Sequence, residues 1–76
     1  TEERRKELVK EVDRYGEQAK VAIRNIRRDG NVHMKKLGLS EDDEKGYLED
    51  VQTLTDDFVK KIDEVLKEKE QELMKM

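Results

Sequence analysis

Apolar residues recur along the first half of the chain at alternating steps of four and three: Leu8, Val12, Tyr15, Ala19, Ala22 and Ile26. That period is the seam of a coiled coil or helical bundle. Val9, Gly16, Ile23 and Gly30 widen the seam on one flank, and it runs on through His33 and Leu37. No proline interrupts it. The pattern predicts one helix from about Glu2 to about Leu37, on the order of 50 Å long at 1.5 Å per residue. Thr1 stands where an N-cap is needed, and Glu2 and Glu3 suit the positive end of the helix dipole. Gly16 and Gly30 each weaken a helix interior, so close approach of a neighbouring helix is expected at them, with neutral drift or a hinge as alternatives.

Gly38 is the expected helix stop, with Leu39 closing a Schellman-type turn. Ser40-Glu41-Asp42-Asp43 then matches a helix start signal, with acids crowding the first turn. The second helix is expected from about Glu41 to about Lys75. Its seam is Leu48, Val51, Thr55, Phe58, Ile62 and Val65, flanked by Leu54, Val59 and Leu66; Lys69 breaks the stripe before Leu73 and Met76. So short a connection forces the helices to fold back on each other. The expected fold over residues 1–76 is all-α, an antiparallel two-helix hairpin. Each apolar stripe is wider than one partner helix can cover. A third helix from a longer chain, or a second copy completing a four-helix bundle, is therefore expected.

Composition sharpens this reading. Of the 76 residues 49% are charged and 33% hydrophobic, which leaves no apolar run long enough for a membrane span. Thr1-Glu2-Glu3-Arg4-Arg5 shows no signal-peptide character, and cysteine is absent, so a reducing cytoplasmic setting is expected. The net charge of −3 hides a division. Residues 1–17 carry five basic and six acidic side chains, residues 18–38 six basic and one acidic, and residues 39–76 six basic and thirteen acidic. A basic block thus sits between a neutral and an acidic segment.

Catalytic chemistry is hard to assemble from these residues. His33 is the sole histidine and falls near the seam, where packing or capping accounts for it. Ser40, the sole serine, has a capping role. Residues Glu41 to Glu44 fan around a helix axis and serve its dipole better than a metal. The scattered glycines make no phosphate cradle. Neither an enzyme nor a cofactor is expected. The basic stripe is what remains: Lys20, Arg24, Arg27 and Arg28, followed by Lys35, fall within about 100° of helix surface. Ala19, Ala22, Ile23 and Ile26 fall on roughly the opposite side. Arginine suits bidentate phosphate contacts, and the lack of aromatic residues disfavours base stacking, so backbone recognition of structured RNA or DNA is the functional reading. The competing reading is a solvated face ion-paired to the acidic second helix, in a structural hairpin whose partner is another helix.

At these residues the chain resembles a known family. Thr1-Glu2-Glu3-Arg4-Arg5-Lys6-Glu7-Leu8, Val21-Ala22-Ile23-Arg24-Asn25-Ile26-Arg27-Arg28-Asp29 and Leu39-Ser40-Glu41-Asp42-Asp43 are similar to segments of bacterial ribosome recycling factor. Val51-Gln52-x-Leu54-Thr55-Asp56 and Lys69-Glu70-x-Glu72-Leu73-Met74 continue the match. The resemblance implies the second and third helices of a three-helix bundle, without the first helix and the inserted β-rich domain, and hence a C-terminal fragment. It implies a translation factor that splits post-termination ribosomes with elongation factor G. The helical arm would lie on large-subunit ribosomal RNA, with Arg24, Arg27 and Arg28 as contact candidates. Departures occur at Asp13-Arg14-Tyr15-Gly16, at Gly30 in place of a common alanine, and in a shortened turn around Gly38.

Overall fold

The computed structural model describes residues 1–75, which form two long helices, α1 (Glu2–Lys35) and α2 (Glu41–Met74). Met76, counted in the seam above, lies outside the described residues. The helices pack side by side as an antiparallel hairpin about 58 Å long. Helix α1 begins at Thr1, whose hydroxyl accepts from the Arg4 amide at 3.2 Å, and α2 begins at Ser40, whose hydroxyl accepts from the Asp43 amide at 3.2 Å. Each cap satisfies an amide that the helix itself leaves unpaired.

The turn closes differently from the expected Schellman motif. Lys36 and Leu37 donate to the carbonyls of His33 and Met34 at 3.1 Å each, so the last turn tightens to three-residue spacing. Those bonds satisfy the His33 and Met34 carbonyls before Gly38 is reached, and the helix ends at Lys35. Gly38 then takes φ +69°, the left-handed conformation that reverses the chain toward Ser40.

The contact between the helices is narrow. On α1 it centres on Gly16, the one fully buried residue of that helix, with Val9, Val12, Ile23 and Met34 half-buried along the same face. On α2 it runs through Leu48, Val51, Thr55, Val59, Ile62 and Leu66. Thr55 is buried and its hydroxyl donates to the Val51 carbonyl at 2.7 Å, so it enters the contact with its polar group satisfied. Much of the seam picked out from the sequence points elsewhere. Tyr15, Ile26 and Leu37 are 61%, 69% and 70% exposed, and on α2 Leu54, Phe58 and Val65 are exposed as well. The reason is geometric: a stripe broader than one neighbour can cover splits into a covered strip and an uncovered one. No hydrophobic side chain among the described residues is fully buried.

Candidate nucleic-acid interface

The two long edges of the hairpin have opposite character. Along one edge the uncovered apolar residues line three successive grooves of about 330, 510 and 500 Å³. Tyr15 and Val65 flank the first, Ile26, Leu54 and Phe58 the second, and Leu37 and Tyr47 the third. Along the other edge, polar side chains from α1 reach across to α2. Lys20 Nζ forms an ion pair with Asp63 and lies 3.5 Å from Glu17 Oε1. Arg27 Nη1 donates to Gln52 Oε1 at 3.2 Å, and Gln52 Nε2 donates to Asp56 Oδ1 at 2.9 Å. Further along, the carboxyl groups of Glu70 and Asp13 are neighbours that can share a hydrogen bond when one of them holds a proton.

Helix geometry explains which basic residues join this edge. Lys20 stands four residues after Gly16 and Arg27 eleven residues after it, so both share the face that touches α2. The sequence reading put them with Arg24 and Arg28 on a free face opposite Ile23. Instead the contact stripe includes Ile23 and carries Lys20 on its polar rim, while Arg27 sits nearer its middle, bonded to Gln52 and also lining the central apolar groove. The Lys20 side chain is only 13% exposed. The hydrogen bond to Asp63 holds its amine above the ordinary lysine value, against the opposing effect of desolvation. Arg27 is half-buried, whereas Arg24, Arg28 and Lys35 are exposed and make no ion pair among the described residues. Arg24, Arg28 and Lys35 fall within about 40° of one another around α1, on the side away from the apolar grooves. Asn31 is half-buried beside them, with its Oδ1 enclosed and unpaired.

The α2 residues that organise this edge, Gln52, Asp56 and Asp63, are not among the site candidates read from the sequence, although Gln52 and Asp56 fall in a segment that carries the family resemblance. The available signal was the four-residue spacing of Gln52 and Asp56, which places an amide and a carboxylate within reach on one helix. Which α1 residue they would meet depends on the hairpin's rotational setting. Among the described residues no group of histidine and acidic side chains could hold a metal ion, and no helix is long and apolar enough to cross a membrane.

Residues 1–74, nearly the whole chain, match the family model described as ribosome recycling factor. The chain belongs to the ribosome recycling factor family. It is 69% identical over 74 residues to the ribosome-recycling factor of Acholeplasma laidlawii, covering 97% of this chain and 40% of that protein. Over 80 aligned residues it is 58% identical to the ribosome-recycling factor of Bacillus cytotoxicus and 54% identical to that of Bacillus thuringiensis, covering all of this chain and 43% of each relative. The hairpin thus spans about two fifths of the length of these relatives. That proportion accords with its uncovered apolar edge: a ribosome recycling factor has more chain than these two helices.

Proposed function

We propose that this hairpin is the RNA-docking part of a non-enzymatic translation factor, working in the cytoplasm. Together with elongation factor G, that factor splits post-termination ribosomes into subunits. Arg24, Arg27, Arg28 and Lys35 hold the phosphate backbone of large-subunit ribosomal RNA, and a helix from the rest of the factor covers the apolar edge. Lys20 is left out of the docking face because its charge is spent on Asp63 and Glu17. The observation that carries this reading is the set of exposed guanidinium and ammonium groups at Arg24, Arg28 and Lys35, which form no ion pair among the described residues in a chain with an excess of acids. Phosphate recognition requires such groups, and a purely structural hairpin would gain by pairing them.

The test is a titration of the full-length factor against purified large ribosomal subunits at two salt concentrations. Docking through phosphates requires affinity that falls steeply with salt. Arg24→Ala or Arg28→Ala should each lower the slope by about one while leaving helicity intact. Salt-independent affinity, or slopes untouched by both substitutions, would return the hairpin to the alternative role of a structural module whose partner is a helix. The open apolar edge is the observation that favours that alternative.

A further inference from the structure

Lys20 and Arg27 both lean from α1 onto α2, and they are held in chemically different ways. Lys20 meets carboxylates directly, at Asp63 and Glu17, so its charge is cancelled where it sits. Arg27 meets a neutral amide, and the carboxylate of Asp56 stands behind that amide rather than against the guanidinium. A carboxylate can only accept. Asp56 therefore takes the NH2 end of Gln52 and leaves the carbonyl end turned toward Arg27. The guanidinium is tethered through one Nη, its other N–H donors are uncommitted to Gln52, and it forms no ion pair among the described residues. An arginine held this way has lost side-chain freedom before it meets a partner and has kept its positive charge.

We propose that Gln52 and Asp56 are positioning residues: an amide relay on α2 that aims the Arg27 guanidinium at an RNA phosphate without neutralising it. This rests on the RNA-docking reading and adds two residues to it that touch no RNA themselves. It also gives a reason for an amide at position 52. A glutamate there would reach Arg27 equally well but would compete with the phosphate for it.

The experiment compares Arg27→Ala, Gln52→Glu, Gln52→Leu and the double variant Arg27→Ala/Gln52→Glu in the full-length factor, binding purified large ribosomal subunits at two salt concentrations. Thr53→Glu, an exposed neighbour on α2, controls for the added negative charge, and circular dichroism checks that helicity is retained. The relay predicts that Gln52→Glu weakens binding on the order of 5-fold and lowers the salt slope by about one, as loss of the Arg27 contact does. Gln52→Leu should lose about 2-fold with its slope nearly intact, since the charge remains but its aim is lost. Gln52→Glu should add no more than the Thr53→Glu control once Arg27 is alanine. Binding by Gln52→Glu equal to Thr53→Glu, or an undiminished Gln52→Glu effect in the Arg27→Ala background, overturns the relay and leaves Arg27 in the docking face. Unchanged affinity in Arg27→Ala overturns both the relay and the place of Arg27 in that face.

Discussion

Leu66 packs its isobutyl group onto the bare backbone of Gly16, so closely that a Cβ at position 16 would stand 2.9 Å from Leu66 Cγ and nearer still to its two methyl carbons. This contact lies midway along α1 and fixes how closely α2 can approach there. The missing side chain at residue 16 is what admits Leu66, so a helix-weakening residue is offset by packing. Gly16→Ala should therefore destabilise the folded factor by about 1–3 kcal/mol despite alanine's better helix propensity. Urea unfolding would show it as a lowered midpoint. Pairing Gly16→Ala with Leu66→Ala should give less than the sum of the two losses, because the smaller side chain makes room for the new methyl.

Gly30 carries no such neighbour. A Cβ built on it meets nothing within 4 Å, and it lines the apolar edge between two grooves. Gly30→Ala should stabilise α1 by about 0.5–1 kcal/mol, the gain expected when backbone freedom is removed from an open helix position. The measurement is the same urea midpoint. A loss in the full-length factor would mean that the covering helix comes down close at Gly30.

The two glycines show where the sequence is legible and where it stops. Periodicity and capping residues gave two helices, their antiparallel return and the surplus of apolar surface, because these depend on local chemistry. Close approach was expected at both Gly16 and Gly30, and within this hairpin only Gly16 has it. Lys20 and Arg27 pose the same problem. On a helix, a contact stripe and the free face beside it differ by only about 60°. That difference turns on where the neighbour sits, which is a tertiary fact. The exposed Arg24 and Arg28, farther round the helix, were legible for the same reason that Arg27 was not.

Asp13 and Glu70 set a pH dependence. The hydrogen bond with Asp13, reinforced by its negative charge and by desolvation, raises Glu70 above the ordinary glutamate value. The folded state thus holds this proton more tightly than the unfolded state. The stability it contributes is fully present below the ordinary glutamate value and is lost as pH rises through the raised one. Glu70→Gln keeps a donor at all pH values. Its melting temperature should exceed the parent's at about pH 7 and converge with it near pH 4. A constant difference across that range would show that proton sharing with Asp13 contributes nothing.

Phe58 puts the covering helix to the test. In the hairpin it is 53% exposed and lines the central apolar groove with Ile26 and Leu54. A residue that stayed so exposed should tolerate truncation within about 0.5 kcal/mol. If the groove is filled by a helix from the remainder of the factor, Phe58 becomes core. Phe58→Ala should then cost about 3 kcal/mol or more in the full-length protein, through lost burial and the cavity left behind. Thr53→Ala, on an exposed face of the same helix, should stay near zero. Equal and small effects from the two substitutions would leave the apolar edge open to solvent or to another partner. A large Phe58 effect beside a silent Thr53 requires that the grooves be occupied in the folded factor, leaving the exposed arginines of α1 free for RNA.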